Sequence, residues 1–443
     1  MKIRFVTLGC KLNFAESSAI GKALLQRGHT RAKQGEEADI CVINTCSVTD
    51  NADHKDRQTI HRIHRQNPNA IIIVTGCYAQ LQPEQIAQIE GVDYVLGQNE
   101  KYEITQLVDK IERLRDSLED ASLQDAASGY SLEAQKIRVA NIREVEEFHG
   151  AYSKDDRTRC FLKVQDGCNY FCTYCTIPYA RGKSRNPAIS DIIKDAQEAI
   201  SQGAKEIILT GVNIGDFGRS TGESFLELLR ALDGLEAKGE RREAKGMDYR
   251  IRISSCEPNL LTDEIIDFVA QSKHFAPHFH IPLQSGSNEV LSIMKRRYTR
   301  ELFEERVQHI KQVMPHAFIG VDCMVGVRGE TEECFNDYVE FIKRLDVSQL
   351  HVFTYSERAN TRMLELDVCI APKTERQRRS KILHEISEEK TRTFYANQTG
   401  REAIVLWESK KEGDQMAGFT ENYVKVYRPY DKAKVNTFEV IRL

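Results

Sequence analysis

The chain has 443 residues, of which 41% are hydrophobic and 29% charged, and its formal net charge at pH 7 is −4. This length predicts several domains with cores of their own, and the composition is that of a globular protein. The small net charge excludes a chain that binds polyanions over its whole surface. No apolar run approaches the ~20 residues of a membrane span, so we expect no membrane partner.

The N-terminal sequence MKIRFVTLGC predicts a strand, not a basic segment followed by an apolar export signal. The chain contains 12 cysteines. Without export, cysteines favour metal binding or catalysis over disulfides, because the cytosol keeps thiols reduced. We therefore expect a cytoplasmic protein whose cysteines carry its chemistry.

Short β-rich runs alternate with helical patterns over residues 1–115. The strand candidates are Ile3–Thr7, Ile40–Asn44 and Ile71–Thr75, and the helix candidates are Ser17–Arg27 and Lys55–Arg65. This alternation predicts an open parallel α/β sheet. The charged residues that follow show little β character, and we interpret residues 116–150 as a linker.

Residues 151–375 contain a longer series of strand and helix candidates. The strand candidates are CFLKVQ, EIILTG, RIRIS, HFHIPL, FIGVDCMV and QLHVF. The helix candidates between them are Ser190–Gln202, Ser224–Leu232, Thr262–Gln271, Arg300–Val313 and Glu332–Leu345. Repeated βα units of this kind predict a partial (β/α)6 barrel of TIM type, with its active site at the carboxyl ends of the strands.

Residues 376–443 form the predicted C-terminal domain. A basic helix over 375–395 leads into the strand candidates REAIVLWE, YVKVYR and TFEVIRL, which predict a small all-β barrel. The domain has 14 Lys and Arg against 10 Asp and Glu. We expect this part of the chain to contact a polyanion, the alternative being a basic face that is merely solvated.

The string QDGCNYFCTYC places three cysteines, Cys168, Cys172 and Cys175, directly after the first barrel strand. Three thiolates on one loop bind three irons of a four-iron cluster and leave the fourth iron open to a ligand. The alternative is a zinc knuckle or buried structural thiols. Structural zinc normally has four ligands, and no nearby Cys or His supplies a fourth.

Three further cysteines, Cys10, Cys46 and Cys77, each follow one strand candidate of the N-terminal domain. The carboxyl ends of parallel strands share one edge of a sheet, so we expect these thiols to converge on a second [4Fe–4S] cluster. The alternative is three thiols that follow strands by chance. The remaining cysteines lack ligand spacing, and we interpret them as core or incidental residues: Cys41, Cys160, Cys256, Cys323, Cys334 and Cys369.

The three-cysteine loop resembles that of the radical S-adenosylmethionine superfamily. The resemblance implies that S-adenosylmethionine chelates the open iron and that its reductive cleavage yields a 5′-deoxyadenosyl radical. Tyr174 matches an aromatic position of the superfamily and is implied to lie near the adenine. A core aromatic is the alternative.

Over essentially its whole length, the chain resembles the methylthiotransferase family. The motifs that carry this resemblance are TLGCKLNFAES, INTCSVT, VTGCYAQ, LTGVNIGDFG, RISSCEP and HIPLQSGS. It implies an N-terminal methylthiotransferase domain with an auxiliary cluster, a radical domain and a C-terminal RNA-binding TRAM domain. One S-adenosylmethionine would methylate a sulfur of the auxiliary cluster, and a second would generate the radical.

The same resemblance implies cofactor contacts after the second, third and fourth barrel strands. They are Thr210, Gly211, Asn213, Ser254, Ser255, Glu257 and Gln284. Ordinary loop turns are the alternative. In the loop Gly326–Thr331, Arg328 replaces the proline usual in the family, so the path of this loop is not predicted.

The motifs TLGCK, PYARGKSR and TGVNIGDFG are closest to the branch that acts at C2 of N6-threonylcarbamoyladenosine, at position 37 of tRNA. This nucleoside carries a carboxylate, which arginine recognises well, and Arg181 and Arg185 are our candidate substrate contacts. They could equally contact phosphates or be solvated.

Expected partners are the tRNA anticodon stem-loop and a reductase or flavodoxin-type electron donor. Alternative substrates are N6-isopentenyladenosine and a ribosomal-protein aspartate, and the alternative class is a non-catalytic iron-sulfur RNA-binding protein.

Overall fold

The computed structural model describes residues 1–33, 35–120, 136–153, 158–235 and 248–443. They divide into two compact units. Unit 1 comprises Met1–Glu147 with Thr176–Lys183, and unit 2 comprises Phe148–Cys175 with Ser184–Leu443. Among the helices of the described ranges, none has both the length and the apolar character that crossing a bilayer requires.

Unit 1 is built on a parallel sheet. Its strands are β1 (Lys2–Thr7), β2 (Thr30–Arg31), β3 (Ile40–Thr45), β4 (Ile71–Gly76), β5 (Tyr94–Leu96) and β6 (Ile137–Arg138). They lie in the order β2-β1-β3-β4-β5-β6, and each pairs with its neighbours in parallel. Apolar clusters cover both faces of β3 and β4, which explains their nearly continuous hydrophobic runs. The predicted open parallel α/β sheet is confirmed.

The helices of unit 1 are α1 (Lys11–Gln26), α2 (Asp50–Gln66), α3 (Cys77–Leu81), α4 (Pro83–Ala87), α5 (Ile104–Asp120) and α6 (Ile177–Arg181). Helix α2 begins earlier than its apolar pattern predicts, because the Thr49 hydroxyl accepts a hydrogen bond from the Ala52 N–H at 3.2 Å. A threonine in this position is a common N-cap.

Part of the region that we interpreted as a linker belongs to unit 1. Helix α5 runs to Asp120, and β6 adds to the sheet through the pairs Val95–Ile137 and Leu96–Arg138. A strand of two residues is too short to produce a detectable period in the sequence. Residues 121–135, in the middle of the predicted linker, lie outside the described residues.

Unit 2 contains the predicted partial barrel. Its strands are β7 (Arg159–Lys163), β8 (Glu206–Thr210), β9 (Arg250–Ile253), β10 (His278–Gln284), β11 (Phe318–Val325) and β12 (Gln349–Thr354). Its helices are α7 (Ile189–Ser201), α8 (Phe225–Asp233), α9 (Asp263–Gln271), α10 (Asn288–Ile293), α11 (Arg300–Val313) and α12 (Glu332–Arg344). Strands β7-β8-β9 and β10-β11-β12 form two parallel sheets, and a parallel bridge between Ser255 and His280 links them. One large apolar cluster fills the space between strands and helices.

The C-terminal part of unit 2 begins with a long helix, α13 (Lys373–Ala396), so the predicted domain boundary at residue 375 falls inside a helix. An antiparallel sheet follows, formed by β13 (Glu402–Glu412), β14 (Gln415–Phe419), β15 (Lys425–Pro429) and β16 (Phe438–Arg442) in the order β15-β14-β13-β16. The predicted small all-β tail is confirmed. Strand β14, with the sequence QMAGF, was not predicted because it lacks a clear alternation of apolar and polar residues.

The basic residues of α13 contact carboxylates of unit 2 itself. Arg379 is buried and pairs with the buried Glu330 at 2.6 Å, and Arg378 pairs with Glu332 at 2.7 Å. These contacts neutralise part of the positive charge that the sequence places on this helix.

A buried ion cluster joins the barrel to the C-terminal sheet. Glu206, Arg250 and Arg252 lie in β8 and β9, and Glu206 pairs with Arg250 and, at 3.0 Å, with Arg252. The two guanidinium groups donate to backbone carbonyls of Ile404 and Glu421, at 3.1 Å each. The amino-terminal part of the barrel is therefore tied to the sheet by charged hydrogen bonds.

Candidate active site

The loop that carries Cys168, Cys172 and Cys175 follows β7 and folds back on itself. The Cys175 N–H donates to the Cys172 carbonyl at 3.0 Å, and the Tyr170 N–H lies 3.4 Å from the Cys168 sulfur. Phe171 has a φ of 50°, a left-handed conformation that is uncommon for a large side chain. The structure therefore gathers the three thiols on one tight turn at the carboxyl end of a barrel strand.

Arg296 is a residue of this site that the sequence did not reveal. Its guanidinium lies 3.1 Å from the Cys172 sulfur and 3.3 Å from the Tyr174 hydroxyl, and it pairs with Glu257. Burial raises the pKa of the Cys172 thiol, and the Arg296 cation acts against that rise. A buried cation beside a cluster cysteine stabilises the thiolate, which is the form that binds iron.

The predicted cofactor contacts lie where the barrel strands end. Asn213 is buried after β8, and its amide oxygen has no hydrogen-bond partner within the described residues. Gln284, at the end of β10, has a φ of 63° and a buried side-chain oxygen that is likewise unsatisfied there. Buried polar groups normally have partners, so these atoms are available to a polar ligand.

The other predicted contacts lie in different surroundings. The Thr210 hydroxyl donates to the Ile208 carbonyl at 3.1 Å, and Ser254 is buried at the end of β9. A Cβ at Gly211 would lie 2.8 Å from Ile214, so the backbone is closely packed there. Ser255 pairs with β10 through its backbone. Their contacts within the protein do not test the predicted binding of a cofactor, which stays a prediction for these residues.

The loop with Arg328 is held by charged groups. Arg328 donates two hydrogen bonds to Glu357, at 3.0 and 2.9 Å, and the Gly326 N–H donates to Glu330 at 2.8 Å. Gly326 and Gly329 both have positive φ, at 71° and 88°. The conformation that the sequence left open is thus fixed by two glycines and two carboxylates.

In unit 1, the cysteines Cys10, Cys46 and Cys77 follow β1, β3 and β4, which are adjacent in the sheet. A Cβ at Gly9, whose φ is 93°, would lie 2.9 Å from the Cys46 sulfur. The chain beside Cys10 therefore needs a glycine to make room for the Cys46 side chain.

The thiols of unit 1 influence one another electrostatically. Burial, together with the nearby Cys77 and Cys10, raises the pKa of Cys46 to about 12. Burial also raises the pKa of Cys77, against the opposing effect of the Arg181 cation. Raised thiol pKa values do not prevent an iron-sulfur cluster from binding here, because the thiols lose their protons when they bind iron.

Both sets of cysteines fit a [4Fe–4S] cluster in chemistry and number. Within the described ranges, no three His, Cys, Asp or Glu side chains surround a single point at metal-ion spacing. A four-iron cluster does not need that spacing, since each thiolate binds a different iron. The orphaned amide atoms of Asn213 and Gln284 in addition fit a polar cofactor beside the radical-domain loop.

The two candidate substrate arginines lie in different units. Arg185 belongs to unit 2, where it pairs with Asp166 at 3.2 Å and has a side chain that is 11% exposed. Arg181 belongs to unit 1, is 2% exposed and pairs with the buried Glu16 at 3.1 Å. Both guanidinium groups bind buried carboxylates of the protein, and Arg185 is the more exposed of the two; both stay predicted substrate contacts.

We interpreted the remaining six cysteines as core or incidental residues. Cys41, Cys160, Cys256, Cys323 and Cys334 are buried in apolar clusters, whereas Cys369 is exposed.

Comparison with known proteins places these features in a family. A sequence model described as the radical SAM superfamily matches residues 162–342, and one described as uncharacterized protein family UPF0004 matches residues 2–97. The solved structure of the radical S-adenosylmethionine methyltransferase TsrM from Kitasatospora setae has a similar fold. The TM-score is 0.55 and the identity 15%, covering 79% of this chain and 72% of that one.

Two curated relatives match nearly the whole chain. The threonylcarbamoyladenosine tRNA methylthiotransferase MtaB of Bacillus subtilis is 37% identical over 96% of this chain and 89% of its own. The tRNA-2-methylthio-N(6)-dimethylallyladenosine synthase of Pelotomaculum thermopropionicum is 31% identical over 94% and 88%, respectively.

The fold and the cysteine loop define this protein as a radical S-adenosylmethionine enzyme. Within that class, the chain belongs to the methylthiotransferase family. Its cofactors are accordingly S-adenosylmethionine and [4Fe–4S] clusters.

Proposed function

We propose that this enzyme inserts a methylthio group at C2 of N6-threonylcarbamoyladenosine at position 37 of tRNA, with a second [4Fe–4S] cluster as the sulfur donor. The observation that carries the proposal is the second cysteine set, Cys10, Cys46 and Cys77, at three adjacent strand ends of unit 1. Radical formation needs one cluster, and sulfur insertion needs a source of sulfur as well. A tRNA substrate agrees with the names of the relatives and with a cytoplasmic enzyme.

The residues of the radical site have defined tasks in this proposal. Cys168, Cys172 and Cys175 would hold the cluster, which together with S-adenosylmethionine would supply radical chemistry at the substrate carbon. Arg296 holds Cys172 and Glu257 in place and offsets negative charge at the loop. Asn213 and Gln284 offer amide groups to the methionyl or ribosyl part of the cofactor. An external reductase or flavodoxin-type protein supplies the electron.

We further propose that the C-terminal sheet is a TRAM-like RNA-binding domain. Its exposed surface includes Lys410, Lys411 and Tyr427, and a basic surface with an exposed aromatic residue suits a nucleic-acid strand. The charges of α13 contribute less, because Arg378 and Arg379 are paired with glutamates.

The substrate is tested by mass spectrometry of tRNA from cells with and without the gene. We expect the methylthio group to disappear from threonylcarbamoyladenosine in the deletion strain and to return with the intact gene. Loss of the mark from isopentenyladenosine would support the second substrate, which one relative's name makes a specific alternative. Unchanged tRNA nucleosides would contradict the proposal.

Arg185→Ala is expected to weaken binding of anticodon-loop RNA that carries threonylcarbamoyladenosine by about tenfold, since a charged hydrogen bond contributes roughly 1.5 kcal/mol or more. RNA with isopentenyladenosine, which lacks the carboxylate, should bind the variant and the parent enzyme alike. The exposed Arg219 supplies a control, Arg219→Ala, expected to bind both RNAs normally. An equal loss for both RNAs would assign Arg185 to phosphate contact and contradict carboxylate recognition.

A further inference from the structure

Unit 1 buries a group of three charged side chains close to its cysteines. Glu16 on α1 is 0% exposed and pairs with Lys101 at 2.6 Å and with Arg181 at 3.1 Å, and both cations are at most 2% exposed. We call these three residues the Glu16 charge cluster. Burying ions costs free energy, and this cost is offset only when the ions pair closely and their remaining polar atoms are hydrogen-bonded.

Hydrogen bonds connect the Glu16 charge cluster to two of the three thiols. Arg181 donates to the Asn13 side-chain oxygen at 2.6 Å, and that oxygen lies 3.8 Å from the Cys10 sulfur. On the other side, Lys101 donates to the Gln98 side chain, whose amide nitrogen lies 3.2 Å from the Cys77 sulfur. Two polar side chains, Asn13 and Gln98, thus stand between the buried cations and the thiols.

The charges within the group do not balance. One carboxylate lies between two cations, which leaves an excess of one positive charge among the three side chains. Each cation is separated from a thiol by a single polar side chain, Asn13 for Arg181 and Gln98 for Lys101. A thiolate-bound cluster is an anionic group, and its electrostatic stabilisation is strongest in a low-dielectric interior.

Arg181 is held firmly in this position. It ends the short helix α6, and Gly182 follows with a φ of 77° at a point where a Cβ would lie 2.5 Å from the Ile142 carbonyl. The guanidinium carbon of Arg143 lies over Tyr179 of the same helix, 5.5 Å from the centroid of the tyrosine ring. The backbone that carries Arg181 is thus fixed on both sides of the residue.

From these contacts, and resting on the second cluster of the proposed function, we propose that the Glu16 charge cluster positions Cys10 and Cys77 and stabilises the reduced form of the auxiliary cluster. Asn13 holds the Cys10 side chain in place and Gln98 holds that of Cys77, because each is hydrogen-bonded to a buried cation. The excess positive charge stabilises the electron that the cluster gains on reduction. Arg181 is a positioning residue in this proposal, because it acts on the Cys10 thiol through Asn13.

The test isolates the auxiliary cluster in the full-length protein. Replacing Cys168, Cys172 and Cys175 with alanine removes the radical-domain ligands, and anaerobic reconstitution then loads only the second site. Bound iron and sulfide are measured, and the reduced fraction is followed by EPR and absorbance during a redox titration with dithionite. No RNA is needed, so the outcome does not depend on the substrate of the enzyme.

In this background, Arg181→Met removes the cation, and the reduced-to-oxidised ratio at a fixed potential should fall by about tenfold. Glu16→Gln removes the anion with little change of shape, and the ratio should rise. Arg181→Lys keeps the charge and should restore most of the ratio. The control Arg143→Met alters a cation that also contacts α6 but has no hydrogen bond to the thiols among the described residues, and the ratio should stay unchanged.

Opposite shifts in Arg181→Met and Glu16→Gln support the proposal, since a purely structural role would affect both variants in the same direction. Loss of iron from Arg181→Met alone, with Arg143→Met fully loaded, would support the positioning role. Equal potentials in all loaded proteins, or equal losses of iron and thermal stability in both variants, would overturn it. A parent protein that bound no iron would instead contradict the second cluster of the proposed function, and this inference with it.

Discussion

Alanine in place of Cys172 is expected to abolish 5′-deoxyadenosine formation and to remove about half of the bound iron, because a four-iron cluster is not held by two thiolates. Cys172 is the buried member of its loop, and its sulfur lies 3.1 Å from the Arg296 guanidinium. The measurement is chromatography of the reaction with dithionite and S-adenosylmethionine, together with an iron assay.

Cys323→Ala is the matched control for Cys172→Ala. Cys323 is also buried but lies in the apolar core of β11, and its loss should leave the iron content and S-adenosylmethionine cleavage intact. Cys46→Ala should give the complementary result, with cleavage retained and methylthio transfer lost. Normal cleavage by Cys172→Ala would refute the assignment of this loop to the radical cluster.

The second large effect is expected from Glu206→Gln. Glu206 is completely buried between Arg250 and Arg252, and removing its charge leaves two guanidinium groups without their carboxylate. Breaking a buried ion group in this way costs about 3 to 5 kcal/mol. We expect the free energy of unfolding, from urea denaturation, to fall by that amount.

The same ion cluster predicts how stability depends on pH. Burial raises the pKa of Glu206, but Arg250 and Arg252 outweigh it and hold this pKa well below its ordinary range. A carboxyl whose pKa is lower in the folded state stabilises the fold above its unfolded pKa of about 4.3, and this contribution is lost as the pH falls further. The difference in stability between parent and Glu206→Gln should therefore be constant near neutral pH and shrink below about pH 4.

Glu340→Gln provides the control for this measurement. Glu340 pairs with Lys343 at 2.9 Å, and the two side chains are 73% and 55% exposed. Exposed pairs contribute about 0 to 1 kcal/mol, so stability should barely change. A Glu206→Gln variant as stable as this control would show that the buried cluster contributes nothing to the stability of unit 2.

Much of the fold could be predicted because its signals are local. The barrel helices show apolar residues at helical spacing, and α11 begins and ends where the pattern predicts, at Arg300 and Val313. Strands β3 and β4 are apolar throughout, as buried parallel strands are. The short strands β2, β5 and β6 could not be predicted, because two or three residues carry no period.

The position of the cysteines after the strands could be predicted, whereas their surroundings could not. Cys10, Cys46 and Cys77 all follow apolar runs, and this shared position in the sequence is visible without a structure. Arg296 and the pair of Glu16 with Arg181 join residues more than 35 positions apart, so no local pattern marks them. Long charged side chains reach partners that only the tertiary fold brings close.

The attachment of the C-terminal sheet also sets a minimum length for the substrate. The sheet is tied to Arg250, the first residue of β9, whereas the cysteine loop follows the carboxyl end of β7. Five strand residues span about 17 Å, at roughly 3.3 Å each. A single nucleoside cannot touch both ends of such a distance, so an RNA that is bound by the sheet while its modified base enters the barrel would have to extend over several nucleotides.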